Sequence, residues 1–159
     1  MRFLFVDRIL ALDPGRSITT LKNVSATEDV FGDHFPGYPI LPGALVVESF
    51  EQASQLLIGV SHEFARVGRL RAVQRGAFRQ FVRPGDQLHV QSVRIAGDDD
   101  TWILDASAEV DGRRVASAVL EFAIVTAAEA EADHAERLRE AVRVLRAAPI
   151  DLARARAGA

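Results

Sequence analysis

Residues 31–43, Phe-Gly-Asp-His-Phe-Pro-Gly-Tyr-Pro-Ile-Leu-Pro-Gly, place three prolines and three glycines directly before a segment of unbroken helical character, residues 43–59. Proline removes backbone donors and fixes φ, so the first segment reads as a loop with restricted backbone, able to hold a side chain still. The second reads as a helix about 25 Å long, with Pro42 at its start, where a missing N–H costs nothing. Leu45, Val46, Val47, Phe50, Ala53, Leu56, Leu57 and Ile58 lie on most of its sides, and Glu48, Glu51, Gln52 and Gln55 form one stripe. A helix apolar over most of its circumference must be wrapped by other structure, leaving one polar seam.

The rest of the chain supplies the wrapping. Residues 17–24 predict a short strand after Pro14-Gly15. From residue 68 the punctuation is that of antiparallel strands: 68–73, 77–82, a turn at Pro84-Gly85-Asp86, 88–95, a turn at 97–100, 102–110, the hairpin dipeptide Asp111-Gly112, and 115–125. The alternation changes phase after Val90, predicting a bulge near Gln91 or Ser92. Residues 127–148, with Leu138, Val142 and Leu145 at helical spacing, predict a C-terminal helix ending before Pro149, and 150–159 are expected to fray. One long helix and a meander make an α+β chain. At 159 residues it is long enough for one well-buried core, divided here into a domain over 1–126 and a helical extension over 127–159.

Composition narrows the function. With no Cys there is no disulfide framework, thiolate nucleophile or Cys-based metal site. Asp7 and Arg8 interrupt the first apolar run too early for a secretory signal, and no apolar stretch approaches the roughly 20 residues that span a bilayer, so a cytoplasmic protein without membrane spans is expected. Residues 61–90 carry six arginines against two acidic residues in a chain of net charge -3. That local excess, with aromatics at 7%, suits a small acidic partner better than nucleic acid.

The sequence lacks a Gly-x-Ser-x-Gly elbow, a Gly-rich phosphate fingerprint and a His-Glu-x-x-His helix. What remains is His34 on the rigid loop and Glu48 on the buried helix. An imidazole acts as a base near neutrality, and a carboxyl in apolar surroundings tends to keep a proton it can donate. Between them the Gly43 N–H lies at a helix start, where unsatisfied donors stabilise developing negative charge. Residue types alone fit a hydrogen-bonded loop histidine and a structural carboxylate paired with an arginine more readily than catalysis.

The run His34-Phe35-Pro36-Gly37-Tyr38-Pro39-Ile40-Leu41-Pro42-Gly43-Ala44-Leu45-Val46-Val47-Glu48 closely resembles the signature of the hotdog-fold (3R)-3-hydroxyacyl-acyl-carrier-protein dehydratases of bacterial fatty-acid synthesis. The resemblance extends from Phe5-Val6-Asp7-Arg8-Ile9-Leu10 through Lys22-Asn23-Val24-Ser25, Phe78 and residues 82–88 to Val110-Asp111-Gly112. It implies a hotdog fold, an antiparallel sheet wrapped around the long helix, with the C-terminal helix as an addition. It further implies subunits paired edge to edge in a homodimer or trimer of dimers, with each site joining the His of one chain to the carboxylate of the other. His34 is then the base at the α carbon, Glu48 the acid for the departing hydroxyl, and Gly43 the donor to the thioester oxygen. The product is a trans-2-enoyl thioester, formed without metal or cofactor.

By the same resemblance Gln52 orders the site or satisfies nearby backbone, Phe78 or Phe81 lines an acyl tunnel or packs in the core, and Arg75, Arg79 and Arg83 dock an acidic acyl carrier protein or stand as solvated charges on a strand face. Glu48 favours dehydration without isomerisation, since the dehydratase-isomerase branch tends to carry Asp there. Asp33, Ser49 and Glu51 depart from the family pattern. Glu51 is expected either to titrate with Glu48 and help it keep a proton, or to point to water or pair with an arginine. Two other activities suit the same scaffold: thioester hydrolysis, and non-catalytic acyl or carrier binding.

Overall fold

The computed structural model describes residues 4–146. In chain order the elements are β1 (Arg8–Asp13), β2 (Ser17–Asn23), α1 (Val30–Asp33), α2 (Gly43–Ser61), β3 (Arg66–Phe78), β4 (Gln87–Gly97), β5 (Thr101–Val110), β6 (Arg113–Thr126) and α3 (His134–Leu145). The six strands form one antiparallel sheet in the order β1-β2-β4-β5-β6-β3, with β1 and β3 at its edges.

The long helix α2 packs against the sheet, as its apolar circumference requires: Phe50, Ala53, Leu57 and Ile58 are wholly buried and share one core with Leu88, Val90, Leu104, Leu120 and Phe122. Each such large side chain contributes about 1.5–3 kcal/mol of burial. Gly68 on β3 shows how closely helix and sheet approach. A Cβ there would lie 2.6 Å from Ile58 Cδ1 and 2.9 Å from Phe122 Cδ1. This is the hotdog arrangement that the sequence resemblance implies.

Several local expectations need correction. β1 was absent from the strand pattern because it is an edge strand, mostly exposed and without clean alternation; Ile9 is its one buried side chain. It joins β2 through a turn in which Gly15 takes φ +79°. The expected strands 68–73 and 77–82 are one strand, β3, whose two irregularities lie at Leu70/Ala72 and Val73/Arg75. Residues 79–82 leave the sheet, and the Val82 carbonyl accepts the Leu41 N–H at 2.8 Å.

The bulge expected near Gln91 or Ser92 lies instead between Arg94 and Ala96. Ser92 keeps the alternation inward as a buried polar residue, its hydroxyl 2.8 Å from that of Ser54 on α2, which conceals the inward phase from hydropathy. The restricted loop also contains one helical turn, α1.

α3 starts at His134 rather than at 127. The Thr126 N–H and hydroxyl both donate to Glu129, and Asp133 has φ 63°, so turns fill the interval. Leu138, Val142 and Leu145 are buried as their spacing predicts and join the same core as α2. The expected helix end before Pro149 and the fraying of 150–159 lie outside the described residues. Among those described, no helix is long and apolar enough to cross a membrane.

Candidate active site

α1 ends at His34, whose N–H donates to the Val30 carbonyl at 3.0 Å. The chain then folds back on itself. Tyr38 N–H donates to Phe35 O at 2.9 Å, Ile40 N–H to His34 O at 3.4 Å, and Gly37 between them takes φ +78°. The imidazole closes the same ring, with Nδ1 3.1 Å from the Ile40 carbonyl oxygen. A carbonyl only accepts, so Nδ1 carries the proton in the neutral ring and Nε2 presents a lone pair. The loop thus fixes the tautomer a base requires.

Pro42 caps α2, and its carbonyl accepts from Leu45 at 2.9 Å and Val46 at 3.2 Å. Gly43 therefore stands in the first turn, where N–H groups have no intrahelical acceptor and the helix dipole is positive. A Cβ on Gly43 would lie 3.1 Å from Cε1 and Cζ of Phe78, so that ring lies over the helix start. Phe78 and Phe81 are both largely exposed in the single chain.

The polar seam of α2 is built from two parallel pairs. Gln52 Nε2 donates to Glu48 Oε1 at 2.8 Å, and Gln55 Nε2 to Glu51 Oε1 at 3.0 Å. The Gln52 carbonyl oxygen accepts the Phe5 N–H at 2.8 Å, which orients its amide toward Glu48. Burial, and then the Glu48 charge, push the Glu51 carboxyl above its ordinary value against the opposing effect of Gln55. Of the two expectations for Glu51, pairing with an arginine is not what the structure shows: its hydrogen-bond partner is Gln55. Ser49 is wholly buried and donates its hydroxyl to the Val46 carbonyl at 2.6 Å, so that departure from the family pattern is accommodated locally.

Glu48 and Gln52 also face a cleft of about 630 Å³ between α2 and α3. His34 is not among the residues lining it, and within one chain no hydrogen bond joins His34 to Glu48. A single chain thus places Gly43 beside Phe78 and Glu48 beside Gln52, all but Phe78 on α2.

Of the arginines, Arg83 braces the loop. Its guanidinium donates to the Tyr38 hydroxyl and lies 4.9 Å from that ring's centre. Arg75 and Arg79 are exposed, the first on β3 and the second just past it, with its backbone N–H bound to Val115 O at 2.7 Å. Sequence reasoning missed both the Tyr38–Arg83 contact and the Phe5–Gln52 bond; partners 45 and 47 residues apart leave no local signal.

Residues 1–119 match the FabA-like domain family. A 3-hydroxyacyl-acyl-carrier-protein dehydratase FabZ of Pediococcus pentosaceus is 40% identical over 122 residues, spanning 76% of this chain and 82% of that protein. The corresponding FabZ of a Nitratiruptor species is 41% identical over 132 residues, spanning 77% and 88%. Among solved structures, the dehydratase heterocomplex ApeI:P of Xenorhabdus doucetiae shares the fold at a TM-score of 0.65 and 15% identity, covering 79% of this chain and 86% of that one. On the family match and on relatives of this similarity and coverage, the chain belongs to the FabA-like domain family.

Proposed function

We propose that this protein is a hydro-lyase that removes water from (3R)-3-hydroxyacyl thioesters on acyl carrier protein, giving trans-2-enoyl thioesters for fatty-acid synthesis. The observation that carries the reading is the His34 imidazole, held with Nδ1 toward the Ile40 carbonyl in a chain about 40% identical to enzymes named for this reaction.

In the proposed reaction His34 Nε2 removes the proton from the α carbon, and the Gly43 N–H binds the thioester oxygen as negative charge develops there. The electron pair of the broken C–H bond forms the double bond, the β C–O bond breaks, and Glu48 delivers a proton to the departing oxygen so that water leaves. Proton exchange with solvent returns His34 to its neutral form and Glu48 to its acid.

The subunit arrangement belongs to the same proposal. Two chains pair through their β3 edges, so that His34 of one subunit and Glu48 of the other flank one substrate. The open edge of β3 favours this, as does the absence of His34 from the cleft that Glu48 lines in its own chain. A homodimer is the minimal unit, and a trimer of dimers repeats it. Arg75 and Arg79 receive the acidic carrier, a contact that weakens with salt, while Arg83 also steadies the loop through Tyr38. We assign residues 1–126 to the catalytic unit and 127–159 to an extension, and place the protein in the cytoplasm, where a carrier-borne substrate is available.

The test is direct. Purified protein given a 3-hydroxyacyl carrier-protein thioester is expected to form the 2-enoyl thioester with no release of free thiol. Thiol release would make it a hydrolase, and no conversion a binding subunit.

A further inference from the structure

A cleft opens between α2 and α3. Its volume of about 630 Å³ lies within the range of about 300–1,000 Å³ typical of ligand sites. Its α2 wall carries Glu48 and Leu56, its floor includes Val6, and its α3 wall carries Ala141, Val144 and Leu145. Leu4 and Val144, two large apolar side chains that line it, are each 54% exposed. Glu48, Gln52, Gln55, His134, Arg137 and Glu140 add polar groups to this apolar lining, so the cleft suits a ligand that is polar at one end and aliphatic at the other.

The α3 wall, residues 134–145, lies wholly beyond the family match, which stops at residue 119. We infer that α3 forms one wall of the acyl-chain site and sets the chain length this protein accepts, with the substrate's aliphatic tail lying between α2 and α3 of the subunit that contributes Glu48. This rests on the dehydration reading. If Glu48 reaches the hydroxyl on the β carbon, the γ carbon and those beyond it must lie next to Glu48, and the cleft it lines receives them. Leu138 and Val142 anchor the wall to the core, while Ala141 and Val144 face the space to be filled.

The experiment uses the full-length chain and carrier-protein substrates with acyl lengths from four to about twelve carbons, following kcat/KM for enoyl formation. Val144→Trp narrows the cleft from a half-exposed position that the fold tolerates, and Val144→Ala widens it. The ratio of long-chain to four-carbon kcat/KM is expected to fall at least about tenfold in Val144→Trp and to rise in Val144→Ala. Arg139 pairs with Glu136 and like it does not line the cleft, so Arg139→Ala should leave the ratio as in the parent. Length profiles parallel to the parent in both Val144 variants would overturn the inference while leaving dehydration intact. Absence of enoyl product from the parent at every length would overturn the dehydration reading, and this inference with it.

Discussion

Gln52 holds Glu48 through a 2.8 Å hydrogen bond, and Gln52 is itself oriented by the backbone N–H of Phe5. The side-chain carbonyl of Gln52 can only accept and its amide can only donate, so the Phe5 bond leaves one sense for the amide: NH₂ toward Glu48. The N-terminal segment therefore sets the geometry of the carboxyl at a distance. Gln52→Leu is expected to lower kcat about 10–100-fold, with a much smaller change in KM, because the acid is misplaced while substrate contacts remain. Steady-state kinetics beside a thermal melt would check this; a loss confined to KM, or one matched by unfolding, contradicts it.

A methyl group on Gly43 would sit tightly against the Phe78 ring. A Cβ at 3.1 Å from the ring requires Phe78 to shift by a few tenths of an ångström, and its exposure permits that. Gly43→Ala should therefore fold with a stability loss below about 1.5 kcal/mol, yet lose activity as the methyl and the displaced ring crowd the N–H that receives the thioester oxygen. Gly43→Ala combined with Phe78→Ala relieves the crowding and should recover part of the loss. A double variant no better than the single would refute this account of the contact.

Glu51 gives the fold a pH dependence of definite sign. Burial, then the charge of Glu48, raise its folded value, so the folded state holds a proton that the unfolded chain has released. Its stabilising contribution is complete below the ordinary carboxyl value of 4.5 and is lost as pH rises through the raised folded value. Glu51→Gln should thus gain in Tm relative to the parent as pH increases from about 4.5 to 8. A constant or shrinking difference over that range contradicts the assignment.

His62 works in the opposite direction. It follows α2, 5.4 Å from Trp102 between ring centres, and burial, then the charges of Arg66 and Arg94, lower its value against the pull of Asp99. The unfolded chain binds the proton more readily, so this stability is present above pH 6.5 and is lost as pH falls toward the folded value. His62→Phe should be most stabilising relative to the parent near pH 5 and least near pH 7.5, as melts at the two values would show.

The parts of the fold legible in sequence were those with strong local patterns. The burial of α2 was written in its apolar circumference, and the Asp111-Gly112 hairpin in its dipeptide, both residues of which take positive φ. β1 escaped because an exposed edge strand has little hydrophobic alternation, and the position of the β4 irregularity was masked by Ser92, whose burial is made possible by Ser54 on another element. At the candidate site the sequence named His34, Gly43, Glu48, Gln52 and Phe78. It could not show that Phe5 orients Gln52 or that Tyr38 meets Arg83, since those contacts exist only once the chain is folded.

The central claim is that His34 and Glu48 act on one substrate from different subunits. His34→Ala and Glu48→Ala, each inactive alone, should regain about a quarter of parental enoyl-forming activity when co-folded in equal amounts, since about half of randomly paired dimers are hybrids with one intact site. Mixed samples that form hybrid dimers yet stay as inactive as either variant would contradict the claim.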